Sequence, residues 1–257
     1  MTPNKRREMN NNRIIMIKRR DFLKKSILLS ASGTGLILPL LAQSGRAEIS
    51  SQVCQPIVTP PLGEGPFYPI KNREDKDNDL TLVKGHSQRA KGEVIYLYGR
   101  ITDQQCRPIQ NAMVEIWQVD DNGRYDHIEA PNQGTLDPNF QHWGQHQTDA
   151  QGRYEFITIM PISYPGWGDW VRPPHVHFHV SKPSFHGVET QMFFPGEPLN
   201  LQDKVLQQLP PDKQSEALAT LENYPPNLKS SLVNKNKNIL AGAKQWKYDM
   251  VLRPSPT

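Results

Sequence analysis

The segment Arg172-Pro-Pro-His175-Val-His177-Phe-His179 carries a histidine at every second position over its second half. On a strand, alternate residues face one side, so the three imidazoles project together. An H-x-H pair can bring two imidazole nitrogens to one metal ion, and histidine is the commonest metal ligand. From these residues alone three readings stand: histidines that pack or hydrogen-bond without metal, a zinc hydrolase site on three imidazoles, or an H-x-H pair completed by other donors. Tyr125, just after the Asn122-Gly123-Arg124 turn, and Tyr164, in the Pro161-Ile-Ser-Tyr-Pro loop, sit in unusual surroundings. A lone tyrosine in a turn is ordinarily a packing residue. A phenolate, however, is a hard anionic oxygen donor suited to a ferric ion. Free tyrosine ionises near about 10, and coordination to Fe(III) would deprotonate it as coordination deprotonates a thiol. Two phenolates and two imidazoles would hold iron ferric; spacing by itself does not assemble that set.

These residues are carried by strand-like segments. Val94-Ile-Tyr-Leu-Tyr-Gly-Arg-Ile-Thr is β-branched and aromatic, and Asp103-Gln-Gln-Cys-Arg-Pro supplies a turn. Ala112 to Val119 alternates, with Met113, Glu115 and Trp117 on one face and Val114, Ile116 and Gln118 on the other. Asp120-Asp-Asn-Gly and Asp149-Ala-Gln-Gly read as turns. Arg153 to Ile159, Val176 to Val180, Gln191 to Phe194 and a closing Tyr248 to Leu252 read as further strands. Short strands punctuated by turn chemistry predict an all-β fold, a sandwich of mostly antiparallel strands with long loops. One short helix is predicted near 212–223, where Ala217, Leu218 and Leu221 share a face. Asn72 to Lys91 reads as a charged surface loop, and neither an internal repeat nor a low-complexity segment is evident.

Several motifs then occur in a fixed order: Gly65-Pro-Phe-Tyr-Pro, Ala112-x-Val-Glu-Ile-Trp-Gln, Gly123-Arg-Tyr125, Asp137-Pro-Asn-Phe140, Thr148-Asp-x-x-Gly-x-Tyr-x-Phe, Thr158-Ile-x-Pro-x-x-Tyr164, Arg172-Pro-x-His-x-His177 and Thr190-Gln-x-x-Phe-Pro-Gly196. This ordered set resembles the intradiol ring-cleavage dioxygenases, most closely the protocatechuate 3,4-dioxygenase type, over roughly Pro60 to Pro254. The resemblance implies a non-haem Fe(III) centre with Tyr125, Tyr164, His175 and His177 as ligands, Tyr164 and His177 being axial. It places Arg172 and Gln191 beside the substrate, and makes Tyr164, Arg172 and Gln191 the catalytic side chains. The implied reaction joins O2 to a small aromatic diol and opens the ring to a cis,cis-muconate-type diacid. His179 has no ligand counterpart and is expected as a neighbour on the same face. Tyr68 is expected to wall the pocket, and His127, His142 and His146 to be structural or solvated loop residues.

One stretch departs from the family pattern. Where the family commonly has Tyr-Pro-Trp, this chain has Tyr164-Pro-Gly-Trp167-Gly-Asp-Trp170. That shift leaves no obvious basic residue for a substrate carboxylate, so catechol, hydroxyquinol and substituted catechols stand beside protocatechuate. A competing class comes from Asp149-x-x-Gly-x-Tyr-x-Phe, which also occurs in transthyretin-like sandwiches that bind without catalysis.

The charge pattern separates a leader from a body. Of 30 Lys and Arg and 26 Asp and Glu, ten basic and two acidic residues fall in 1–47, so the remainder is net acidic despite an overall +4. The body therefore gives no electrostatic case for nucleic acid. Arg19-Arg20-x-Phe-Leu-Lys, an apolar run from Ser26 to Leu41, and Gly45 and Ala47 as a small-x-small site resemble a cleavable twin-arginine export signal. The expected organisation is a leader over 1–47 and one catalytic domain over 48–257, exported to the periplasm or beyond, touching membrane only through the leader. A homo-oligomer is compatible with the resemblance. Cys54 and Cys106 are the two cysteines, unassigned by their spacing although export permits a disulfide.

Overall fold

The computed structural model describes residues 57–256, apart from 71–74, 133 and 223–229. The leader, Cys54 and the far end of the predicted helix lie outside the described residues. The chain forms strands β1 (Val94–Asp103), β2 (Met113–Trp117), β3 (Trp143–Gln147), β4 (Arg153–Ile159), β5 (Tyr164–Pro165), β6 (Val171–Arg172), β7 (His175–Ser181), β8 (Val188–Phe193) and β9 (Thr220–Glu222). Two short helices, α1 (Ser231–Lys235) and α2 (Lys237–Leu240), precede β10 (Lys244–Lys247) and β11 (Met250–Leu252).

One sheet is built on β1. Strand β4 pairs with it antiparallel, while β10 and β11 pair parallel with its first and second halves; β9 extends the sheet beyond β10. The other sheet runs β3-β2-β7-β8, every pair antiparallel. The two sheets enclose a core that includes Ile95, Leu97, Val114, Ile116, Phe156 and Phe178, all fully buried. Phe178 of the second sheet meets the ring of Tyr154 on β4 at 5.9 Å and that of Tyr248, in the link between β10 and β11, at 5.4 Å. Burying each such side chain contributes roughly 1.5–3 kcal/mol.

The alternation in β2 and β7 decides what lies outside the core. Val114 and Ile116 with Val176, Phe178 and Val180 face inward. The intervening Glu115, Trp117, His175, His177 and His179 therefore cover the opposite face of the second sheet. In register, Trp117 opposes His177, Glu115 opposes His179, and His177 opposes Gln191 on β8.

Three turns share one construction that the sequence reading passed over as a repeat. In Asp103 to Arg107, Asp120 to Arg124 and Asp149 to Arg153, the aspartate carboxylate accepts from the backbone N–H two and four residues on. The fourth residue is left-handed each time: Cys106 at φ 62°, Gly123 at φ 71° and Gly152 at φ 71°. An aspartate opening a turn closed by a left-handed residue is a common hairpin solution. Cys106, a non-glycine in that position, is disulfide-bonded.

The predicted helix near 212–223 is resolved differently. Pro211–Ala217 winds as a 3-10 helix, and Thr220–Glu222 is strand β9. Prolines at 210 and 211 start the tighter winding, and after Leu218 the chain is captured by β10. The α-helices form instead at Ser231–Lys235, capped by Ser230 Oγ accepting from Val233 N, and at Lys237–Leu240.

Candidate metal centre

The outer face of β7 becomes a site because three other segments fold over it. The Asp120 turn presents Tyr125. Strands β5 and β6 form a hairpin whose base pairs Tyr164 with Arg172. A strap at Leu62–Tyr68 lies across the imidazoles: a β-carbon on Gly65 would stand 3.0 Å from His177 Cε1, and Phe67 meets the Tyr125 ring at 5.0 Å.

Four donor atoms converge there. Tyr125 Oη lies 3.0 Å from His177 Nε2 and 3.2 Å from His175 Nε2, and the two Nε2 atoms are 3.2 Å apart. Tyr164 Oη is 3.5 Å from Tyr125 Oη and 3.4 Å from His175 Nε2. Metal–donor bonds of about 2 Å set neighbouring donors about 3 Å apart, so this cluster has the edge lengths of a coordination shell. The tautomer suits it too. His175 Nδ1 donates to Pro173 O at 2.7 Å, which leaves the Nε2 lone pair facing the cluster. His177 stacks on Trp117 at 4.9 Å and 18°, which fixes its ring plane.

Burial tunes all four groups toward neutral forms. It drives His175 and His177 well below the ordinary imidazole range, with the Arg172 charge adding to the effect. Tyr125 is pushed well above the usual phenol value by burial and by the neighbouring Tyr164 phenol. Tyr164 is also raised by burial, against an opposing pull from Arg172. Neutral imidazoles are ready donors, whereas the phenols need a strongly charged cation to become phenolates. That donor set fits a hard, high-charge metal ion.

Beside the cluster lies a buried guanidinium. Arg172 Nε donates to Asp203 Oδ2 at 3.0 Å, and Nη2 to Asp203 Oδ1 at 3.2 Å and Gln191 Oε1 at 2.8 Å. Its remaining nitrogen, Nη1, reaches His175 Nε2 at 3.0 Å. Burial works against the charge, but Tyr164 and Asp203 outweigh it and the group's pKa is raised. On the other side, Tyr68 Oη donates to Glu115 Oε1 at 3.0 Å while His179 Nδ1 stands 3.1 Å from Glu115 Oε2. Burial and the Glu115 charge push the Tyr68 phenol up to about 12.

All six sequence-predicted residues, Tyr125, Tyr164, Arg172, His175, His177 and Gln191, come together here. His179 sits on the same face but pairs with Glu115. Among the described residues no group of three or more His, Cys, Asp or Glu could hold a metal, so the three-histidine zinc site is not assembled. Tyr68 packs edge-on against Trp117 at 5.0 Å. His127 and His142 are buried loop residues, whereas His146 lies on β3 and accepts from Glu155 N at 3.1 Å. Sequence reasoning missed Asp203. An aspartate before a short turn reads as a cap, and nothing local pairs it with an arginine 31 residues earlier. It also missed that the hairpin tip puts Trp167 58% exposed against Phe67, and Trp170 between Arg172 and Lys204.

Residues 63–254 match the family described as Dioxygenase. The chain is similar to the protocatechuate 3,4-dioxygenase beta chain of Burkholderia cepacia, 40% identical over 150 residues, covering 56% of this chain and 63% of that one. It is 29% identical over 153 residues to catechol 1,2-dioxygenase 2 of Acinetobacter lwoffii, covering 54% of this chain and 52% of that protein. These matches thus span between about half and just under two thirds of the relatives' own lengths. The fold is shared with hydroxyquinol 1,2-dioxygenase from Pseudomonas putida DLL-E4 at TM-score 0.57 and 22% identity, over 77% of this chain and 67% of that one. Because the family match runs from the strap to just beyond the last strand, and not over one local motif, the chain belongs to the intradiol ring-cleavage dioxygenase family.

Proposed function

We propose that the protein uses non-haem Fe(III), held by Tyr125, Tyr164, His175 and His177, to open a catechol between its two hydroxyl-bearing carbons. The observation that carries this reading is the convergence of two phenol oxygens and two imidazole nitrogens, each within 3.0–3.5 Å of at least two of the others. When bound, Fe(III) supplies a template for both catechol oxygens and the Lewis acidity that opens the ring to O2. The side chains then divide the remaining work. Tyr164 takes one catechol proton; its burial favours the neutral phenol once the oxygen carries a proton. Tyr125 keeps its oxygen on the imidazole side, 3.0 Å from His177 Nε2 and 3.2 Å from His175 Nε2. Arg172 aims Nη1 into the cluster, where a fixed cation in a dry site stabilises developing negative charge. Gln191 restrains that guanidinium from the β8 side. The product is a cis,cis-muconate-type diacid.

The substrate we infer is protocatechuate or a related single-ring catechol. The relatives' names share an ortho-diol, the part such a centre would chelate. We also propose that residues 1–47 are a cleaved twin-arginine leader and 48–257 the catalytic domain in an exported compartment. The disulfide at Cys106 agrees with an oxidising destination.

The test is a visible absorption spectrum of the Fe(III)-loaded protein, with catechol and protocatechuate added anaerobically. A tyrosinate-to-ferric band that shifts on each addition is expected, and the size of the shift at limiting ligand ranks the two substrates. A protein that stays colourless after reconstitution with ferric ion overturns the reading and favours a binding sandwich.

A further inference from the structure

We propose that Asp203 is the counter-ion and positioning residue that lets Arg172 stand beside a bound metal; the proposal rests on the metal-site reading above. Arg172 is 6% exposed and Asp203 fully buried. Its Nη1 is 3.0 Å from the Nε2 lone pair that a metal would take. A buried, unpaired cation in that place would repel a metal cation and compete for the His175 nitrogen. Asp203 answers both problems. Its charge cancels that of the guanidinium at 3.0 and 3.2 Å. Together with Gln191 it also ties down Nε and Nη2, so that only Nη1 is left to face the cluster.

Asp203 is held independently of Arg172. Its Oδ1 accepts from Val205 N at 3.0 Å and Leu206 N at 2.9 Å, at the start of the 3-10 turn Leu206–Gln208. Oδ2 accepts from Arg172 Nε, and Oδ1 also accepts from Arg172 Nη2 at 3.2 Å. Cap and charge can still be separated: Asp203→Asn keeps an Oδ1 acceptor for the backbone while removing the negative charge that balances the guanidinium.

The experiment compares wild type, Asp203→Asn and the double variant Arg172→Gln/Asp203→Asn, each loaded with ferric ion and titrated against a competing chelator. Metal affinity is read from the visible band, folding of the metal-free proteins from near-ultraviolet circular dichroism, and turnover separately. Asp203→Asn is expected to lose about tenfold or more in ferric affinity. The double variant, with the stranded cation removed, is expected to regain it while remaining without turnover. If Asp203→Asn alone does not fold, recovery of both fold and metal affinity in the double variant supports the proposal equally. Ferric affinity unchanged in Asp203→Asn, or a double variant no better than the single one, would show Asp203 to be only a cap and overturn it. A wild-type chain that binds no ferric ion instead overturns the metal-site reading, a result distinguishable from either.

Discussion

Tyr125 is 2% exposed, and its phenol oxygen contacts two imidazole nitrogens and a second phenol. Tyr125→Phe removes one donor and leaves the packing against Phe67 and Tyr164 intact. The metal-free variant should fold as wild type, with ferric affinity lower by about tenfold or more and a weaker tyrosinate band; a band of full intensity would remove Tyr125 from the ligand set. Gly65 tests the strap. It has φ 75°, and an added β-carbon meets His177 Cε1 at 3.0 Å. Gly65→Ala should destabilise the protein by about 1–2 kcal/mol through the left-handed backbone alone. It should also tilt the His177 ring off Trp117, which a lowered ferric affinity in chelator competition would register.

At the scale of elements, the three aspartate turns form an internal control. Asp120 is fully buried; besides its own turn it accepts from Asp137 N at 2.8 Å, and its turn ends at Tyr125. Asp149 makes the same turn in solvent, far along the chain from any candidate ligand except through β4. Asp120→Ala should cost about 1–3 kcal/mol in denaturant unfolding by stranding buried N–H groups, and should weaken ferric binding by freeing Tyr125. Asp149→Ala should cost about 1 kcal/mol or less and leave the visible spectrum unchanged. Equal effects on the metal band would mean that the Asp120 turn has no special part in the site.

At the scale of the whole molecule, acid stability gives a signed test. Burial lowers the His146 pKa, and its Nδ1 must stay bare to accept from Glu155 N, tying β3 to β4. The unfolded chain protonates this histidine near about 6.5 while the folded chain resists. Unfolding therefore takes up a proton, and stability falls as pH drops below that value, by at most about 1.4 kcal/mol per pH unit for one group. His175 and His177 share the sign in metal-free protein. His146→Asn keeps an acceptor without titrating, so its urea midpoint should decline less steeply than wild type's between about pH 6.5 and pH 5. Parallel declines would assign the acid sensitivity elsewhere.

Much of this was legible in the chain itself. Period-two alternation in β2 and β7 told which side chains share a face, because a strand allows no other arrangement of neighbours. The donor chemistry of Tyr125, Tyr164, His175 and His177 followed from residue type once the ordered motifs linked them. Strands β3, β9 and β10 were not legible: short and largely polar, they exist because β2 offers an edge to β3, β1 to β10, and β10 in turn to β9. The helix expected near 212–223 yielded to prolines and to pairing with β10 for the same reason. Local sequence thus determined the shared face and the candidate donors. The tertiary structure alone decided that Asp203 meets Arg172 and that Glu115 withdraws His179 from the cluster, since charge pairing between distant segments depends on through-space distance, which no local pattern encodes.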